Sequence, residues 1–304
     1  LLFAEHDMNR GFERYADWDD YLHYLRNKDF FTNFDKSKVK EGCYQGDPRY
    51  VKEIEGAANF CFTAYAREHG GHLADEYTVE RCAFERASNW LDENHEDPFF
   101  LVYSLYRPHG PLEVPEDVEG PSLEDLPPLE WDDQDLASTP SLRQRIAFMN
   151  SKNGNAYSAG LDLAKTFAED PELSKDPGRS KEMNSCNGFR KDYYRSINYV
   201  DRYAGKMMDK LKALGHAEDT MIIFTSDHGD MLGEHGLNLK MCFYEASIRV
   251  PLLIHIPGNW ETGERDDRPV MLLDLVPTIA GQFGIEIGDH LLGIDLRKDS
   301  YGHE

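Results

Sequence analysis

One apolar run in this sequence ends in a pair of side chains suited to a cation. Thr220-Met221-Ile222-Ile223-Phe224-Thr225 is short, β-branched and aromatic, and it leads directly into Ser226-Asp227-His228-Gly229-Asp230. Aspartate offers an anionic oxygen and neutral imidazole a borderline nitrogen, and together they suit a divalent cation. Two adjacent ligands do not fill a coordination sphere, so the remainder must come from other strand ends. A glycine-punctuated loop follows and delivers Lys240 twelve residues after His228. An ammonium beside a metal is repelled unless an anion lies between them. That order therefore suggests an oxyanion clamped between cation and lysine. Spacing alone leaves a plainer reading open, in which Asp227 caps a turn and His228 is a structural histidine. Zinc bound by His228 and His235 is a further option, although no neighbouring Cys/His set accompanies them.

Ligands of open α/β sheets bind beyond the carboxyl ends of strands, so the 220–225 run has to be a strand for this chemistry to work. The flanking pattern agrees. Val79, Ala83, Ala87, Trp90 and Leu91 recur at helical spacing over Thr78 to Glu93, with Thr78 as N-cap. Pro98 to Leu105 is continuously apolar and reads as a buried strand, and helix followed by buried strand suggests parallel pairing. Tyr193, Ile197, Val200, Ala204, Met207, Leu211 and Leu214 step by four and three, predicting a long amphipathic helix from Phe189 that Gly215 closes. A further strand is expected over Val250 to Ile256. Met271 to Phe283 reads as helix, with Pro277 tolerated near its start. Residues 1–60 read as loop with short helices. Between Pro111 and Gly188 prolines and acids dissolve the pattern into an insertion or lid-like excursion, with a short helix near Leu142 to Met149. A solvated surface loop is its plain reading, and a substrate-side role the other.

Composition narrows the classes. The chain has 304 residues, 34.9 kDa, 40% hydrophobic and 29% charged, which fits one large or two modest globular units. With 33 Lys+Arg against 56 Asp+Glu, a net charge of -23 argues against nucleic acid or an anionic membrane as partner. A small anionic substrate stays possible, because a few cations can dominate inside a cleft. No apolar stretch approaches the ~20 residues of a membrane span. The five cysteines (Cys43, Cys61, Cys82, Cys186, Cys242) form no CxxC, and no Asn-x-Ser/Thr sequon occurs.

The stretch Thr225 to Leu237, then Lys240 and Arg249-Val250-Pro251-Leu252, resembles the sulfatase family of the alkaline phosphatase superfamily. The likeness is greatest to the bacterial choline-sulfatase and iduronate-sulfatase-like branches. Arg107-Pro108-His109-Gly110-Pro111-Leu112 stands where the family carries a Pro-His-x-Pro histidine, and Leu273-Asp274-Leu275-Val276-Pro277-Thr278 matches a structural signature. The resemblance implies an alkaline-phosphatase-like α/β fold with a mixed, mainly parallel central sheet flanked by helices. It implies that Asp227 and His228 ligate one divalent cation, Ca2+ by family habit and Mn2+ as the option histidine allows. Lys240 would hold a sulfate oxygen, and His109 would bind the sulfate or protonate the leaving alkoxide. The substrate would be a small-molecule or saccharide sulfate ester. Glu234 and His235 read as loop structure or polar contacts to substrate, and Arg249 as ordering the loop. Cys242, two residues past Lys240, carries no mark of reactivity.

The family nucleophile is a formylglycine made within Cys-x-Pro/Ala-Ser-x-Arg, and none of the five cysteines stands in that pattern. The N-terminal Asp-Asp ligands and the Gly-Lys-x-His motif are likewise not found. Gly11-Phe12-Glu13-Arg14 resembles the segment downstream of that motif, so residues 1–304 read as a partial catalytic domain whose nucleophile and remaining ligands lie outside the segment. Isolated, it is expected to be inactive. A phosphonate monoester or phosphodiester hydrolase of the same superfamily would use the same four residues. A two-metal phosphatase or mutase fits less well, since Lys240 occupies the place of second-metal ligands. A non-catalytic fragment or degenerate homologue acting as a binding module is the non-enzyme alternative.

Overall fold

The computed structural model describes residues 16, 18–28, 72–110, 112–128, 186–236, 239–240, 242–258, 263, 265–288 and 290–298. In chain order its elements are α1 (Trp18–Asn27), α2 (Val79–Asn94), α3 (Cys186–Ala213), β1 (Ile222–Thr225), α4 (Glu245–Ile248), β2 (Leu252–His255) and α5 (Leu275–Gln282). The chain divides into two compact units. The first comprises residues 1–218 with 230–248, the second residues 219–229 with 249–304.

In the first unit α2 begins where the spacing predicts it. Thr78 Oγ1 accepts the Arg81 N–H at 3.1 Å and so satisfies a donor of the opening turn. Val79, Cys82, Ala83, Ala87 and Leu91 are buried, and so is Glu80. Helix α1 buries Tyr21 and Leu25, and Tyr21 donates its hydroxyl to the Tyr77 carbonyl at 2.5 Å. The helix that packs on α2 is α3, and the stripe it buries is not the one read in sequence. Ser196, Tyr199, Tyr203, Met207 and Leu211 are buried, whereas Ile197 is exposed and Tyr193, Val200 and Ala204 are half-buried. Both stripes have helical spacing and share Met207 and Leu211. A polar anchor selects between them. Tyr199 and Tyr203 both donate to Asp75 Oδ1, at 2.7 and 2.8 Å, and Thr78 Oγ1 lies 2.8 Å from the Tyr199 hydroxyl. Buried tyrosine needs a partner for its hydroxyl, and Asp75 provides one for two rings. Gly215 closes α3 at φ +86°, as expected, and His216 N–H donates to the Leu211 carbonyl at 2.9 Å.

Tyr199 and Tyr203 meet edge to face at 5.2 Å and form a small core with Val114 and Val118, on which Phe84 and Leu105 pack. Both valines belong to the Pro- and acid-rich excursion. Its first stretch is therefore part of the packed structure, where a solvated loop was the plain expectation. Arg195 clamps it by donating to the carbonyls of Pro115 and Val118 at 2.7 and 2.6 Å. Residues 129–185, the helix expected near Leu142 and the Gly11 to Arg14 segment lie outside the described residues. The 98–105 run differs from expectation too. Phe100 and Val102 are exposed between half-buried neighbours, where burial on both faces was expected. An unbroken apolar composition concealed that alternation.

In the second unit β1 and β2 pair antiparallel, Ile222 opposite His255 and Thr225 opposite Leu252. The chain leaves β1 at Thr225 and re-enters β2 at Leu252 beside it, and a return to the same end makes neighbours antiparallel. This pair is not fully buried, since the register partners Phe224 and Leu253 are both exposed. Helix α5 starts after a 3-10 turn at Leu272–Asp274, with Pro277 inside its first turn as expected. The polar residues of the Leu273-to-Thr278 signature bind backbone. Buried Asp274 accepts the N–H groups of Met271 and Ile294 at 2.7 and 2.9 Å. Thr278 donates to the Asp274 carbonyl at 2.6 Å and accepts the Leu296 N–H at 2.9 Å. Beside them a Cβ on Gly293 would overlap the Leu273 carbonyl, so the chain can approach there only as glycine.

Candidate active site

Asp227 and His228 follow the last residue of β1 and are held by their own backbone. Asp227 Oδ1 accepts the His228 N–H at 2.9 Å and the Ser226 hydroxyl at 3.3 Å. His228 Nδ1 lies 2.8 Å from the Gly229 carbonyl, which can only accept. In the neutral ring the proton therefore sits on Nδ1, and Nε2 presents a lone pair. That Nε2 is 3.4 Å from Asp227 Oδ2. Two donors bonded side by side to one calcium-sized ion, at ~2.4 Å each, stand about 3.4 Å apart. Oδ1 thus makes the turn, while the separation of Oδ2 and Nε2 equals that of two adjacent ligands of such an ion. Among the described residues no group of three or more His, Cys, Asp or Glu side chains could hold a metal.

Lys240 belongs to the first unit and is set by Asp230. Asp230 Oδ1 accepts the N–H groups of Leu232 and Leu239, both at 3.1 Å, while Met231 N–H donates to the Leu239 carbonyl at 2.8 Å. These bonds close the loop at both ends and deliver the chain to Lys240. Among its described residues the loop carries three non-glycine positions in left-handed backbone, Leu232, His235 and Leu239, at φ +46°, +53° and +61°. Such a conformation costs ~1–2 kcal/mol per residue, offset here by the Asp230 bonds and the full burial of Met231. His235 stacks on Tyr244 at 4.1 Å, which gives it a structural part in the loop. Cys242 is half-buried and free, and the Cys82 thiol under α2 is pushed up to about 11 by burial.

His109 is exposed and lies in the same unit as Lys240. Its Nδ1 is 2.8 Å from the Gly110 carbonyl, so Nε2 is the nitrogen offered outward, and its ring lies 4.8 Å from that of Tyr106. Arg107, two residues earlier, is buried and anchors the turn. Its N–H donates to Glu80 Oε1 at 3.0 Å, its guanidinium pairs with the other Glu80 oxygen, and it donates to the Glu113 carbonyl at 2.6 Å. Burial opposes the Arg107 charge, but the Glu80 carboxylate outweighs it and raises the pKa above the ordinary arginine range. Sequence reading assigned no role to Glu80 or Asp230. Asp230 has a weak local signal, since aspartates in glycine-rich turns commonly accept backbone N–H groups. Glu80 has none beyond a carboxylate on the apolar face of a helix.

The family match over most of the chain and the likeness of its fold to solved structures make this an α/β protein of the alkaline-phosphatase type. The fold is similar to that of the phosphonate monoester hydrolase of Agrobacterium radiobacter, with a TM-score of 0.61, 23% identity, and coverage of 93% of this chain and 50% of that one. The chain belongs to the sulfatase family, whose model matches residues 2–285. It is 44% identical over 129 residues to a choline-sulfatase of Rhizobium meliloti, covering 38% of this chain and 25% of that protein. To an N-acetylglucosamine-6-O-sulfatase of Bacteroides thetaiotaomicron it is 32% identical over 266 residues, 76% of this chain and 47% of the relative. The chain thus spans a quarter to about half the length of these relatives.

Proposed function

We propose that this chain carries part of the active site of a sulfuric ester hydrolase acting on sulfate monoesters. The observation that carries the reading is the Asp227–His228 pair, in which the Gly229 carbonyl holds the His228 proton on Nδ1 and leaves Nε2 3.4 Å from Asp227 Oδ2. Those two atoms would hold one divalent cation, Ca2+ in the first place and Mn2+ in the second. A cation bound there would polarise the sulfuryl oxygens. Lys240 holds a sulfuryl oxygen and neutralises charge that develops on it. His109, fixed through Nδ1, transfers a proton from Nε2 to the departing alkoxide when it is in the imidazolium form. The nucleophile is a formylglycine supplied by polypeptide outside this segment, as none of the five cysteines lies in its motif. Family membership supports the reaction class, and the names of the two sulfatase relatives support a small-molecule or saccharide sulfate as substrate.

The test uses the full-length protein, its metal content and two chromogenic substrates, an aryl sulfate and an aryl phosphonate monoester. His228→Ala is expected to lower metal occupancy and sulfate turnover together. Full occupancy in that variant contradicts the ligand role. A parent enzyme that turns over the phosphonate and leaves the sulfate intact transfers the assignment to the phosphonate monoester hydrolases, with the same residue roles.

A further inference from the structure

A second set of imidazoles lies apart from the residues placed in the candidate active site. His95 caps the C-terminus of α2, donating its N–H to the Leu91 carbonyl at 2.9 Å. His216 follows the glycine that closes α3. Although 121 residues apart, the two rings meet, His95 Nδ1 standing 3.2 Å from His216 Nε2 with ring centroids 5.3 Å apart. Both are half-buried and so reachable from solvent. We propose that His95 and His216 form a two-imidazole site for a borderline divalent cation of the Zn2+, Ni2+ or Cu2+ class, pinning the ends of α2 and α3 together.

Three features carry this. The nitrogen separation matches the bite of such an ion, because two imidazoles at ~2.0–2.1 Å in a tetrahedral sphere place their nitrogens roughly 3.3 Å apart. Both rings sit at helix C-termini, whose unpaired carbonyls give a partial negative charge that favours a cation. Aromatic walls flank the pair, Phe99 meeting His216 edge to face at 6.3 Å and Trp90 meeting Phe99 at 6.0 Å. Such walls restrict water around a metal and orient its ligands. The neighbouring charges agree. Glu93, Glu96, Asp97 and Glu218 adjoin the two histidines in sequence, and the Lys210 ammonium in the last turn of α3 is paired with Asp92 at 2.5 Å. Without an ion, one ring donates its N–H to the other. On binding, the donor ring moves that proton to its other nitrogen, so each ring turns a lone pair to the ion with no net proton change. Water completes the sphere, and hard cations such as Ca2+ and Mg2+ gain little from two imidazoles.

The probe is Ni2+ alone, titrated calorimetrically into the chain at pH 7.5 after its cysteines are blocked with iodoacetamide. Asp227→Ala serves as the background, which separates this site from the catalytic pair. That background is expected to take up one Ni2+ and to melt at a higher temperature in its presence, with Ca2+ producing neither effect. Adding His95→Gln, or independently His216→Gln, is expected to weaken uptake at least tenfold and abolish the melting shift while helix content stays unchanged. Equal uptake in both glutamine variants overturns the proposal, and so does a background chain that takes up no Ni2+. Neither result touches the sulfatase reading, which rests on other residues.

Discussion

Lys240 shows what a single side chain can add once a loop has placed it. An ammonium contributes most where negative charge grows during reaction, and loss of one such donor commonly costs ~100–1000-fold in turnover. Lys240→Ala in the full-length protein is therefore expected to lower kcat for a sulfate ester by roughly that factor, with a smaller change in KM. A rate equal to the parent's would remove Lys240 from the anion clamp. Glutamine is the informative second variant. It retains hydrogen-bond donors without the charge, so a partial recovery over alanine separates hydrogen bonding from charge neutralisation. The neighbouring Asp230 acts on the loop instead, since its Oδ1 accepts the N–H groups of Leu232 and Leu239 and so holds the chain that carries Lys240. It is a positioning residue.

Between elements, one carboxylate, Asp75, joins α3 to the turn before α2. Burial alone would raise the Asp75 pKa, but the Tyr199 and Tyr203 hydroxyls, with the Lys206 and Arg81 charges, outweigh it and hold the value below the ordinary aspartate range. A depressed folded-state pKa means that the ionised form stabilises the fold. The contribution is present above the unfolded value of ~4 and is lost as pH falls through the lower folded value. Asp75→Asn is expected to melt well below the parent at pH 7, and the two curves should converge as pH drops below about 4. A gap that stays constant with pH would mean that the carboxylate charge has no part. Asp75 also shows where sequence reading stops. The extents of α2 and α3 and the places of α5 and β1 were legible, because caps, glycines and 3.6-residue periodicity are local signals, although α5 begins only at Leu275 after a 3-10 turn. The face that α3 buries was not legible, since Tyr199 and Tyr203 are chosen by an aspartate more than a hundred residues away. The direction of the β1–β2 pair could not be read from either strand, because register and direction belong to the connection between them. At the candidate site the types and order of Asp227, His228 and Lys240 could be read. The bonds to Gly229 and Asp230 that orient them could not.

On the scale of the whole chain, net charge acts on stability in a way that no single contact reveals. Acidic residues exceed basic ones by 23, so ion pairs can relieve only part of the negative charge. Two contributions then respond to salt in opposite directions. Exposed pairs such as Arg265–Asp267 and Arg202–Asp117 weaken on screening, but each stabilises by ~1 kcal/mol or less. The buried Glu80–Arg107 pair is shielded from salt and barely changes. Mutual repulsion among the excess acids falls as the screening length shortens from about 30 Å at 0.01 M to about 10 Å at 0.1 M, and it involves far more pairs. Repulsion should therefore decide the sign, and the melting temperature is expected to rise between 10 and 150 mM NaCl, most steeply at the low end. A chain whose melting temperature falls over that interval would owe more to its surface ion pairs than their exposure allows. Charge would then be structural in this protein, instead of a load that the fold tolerates.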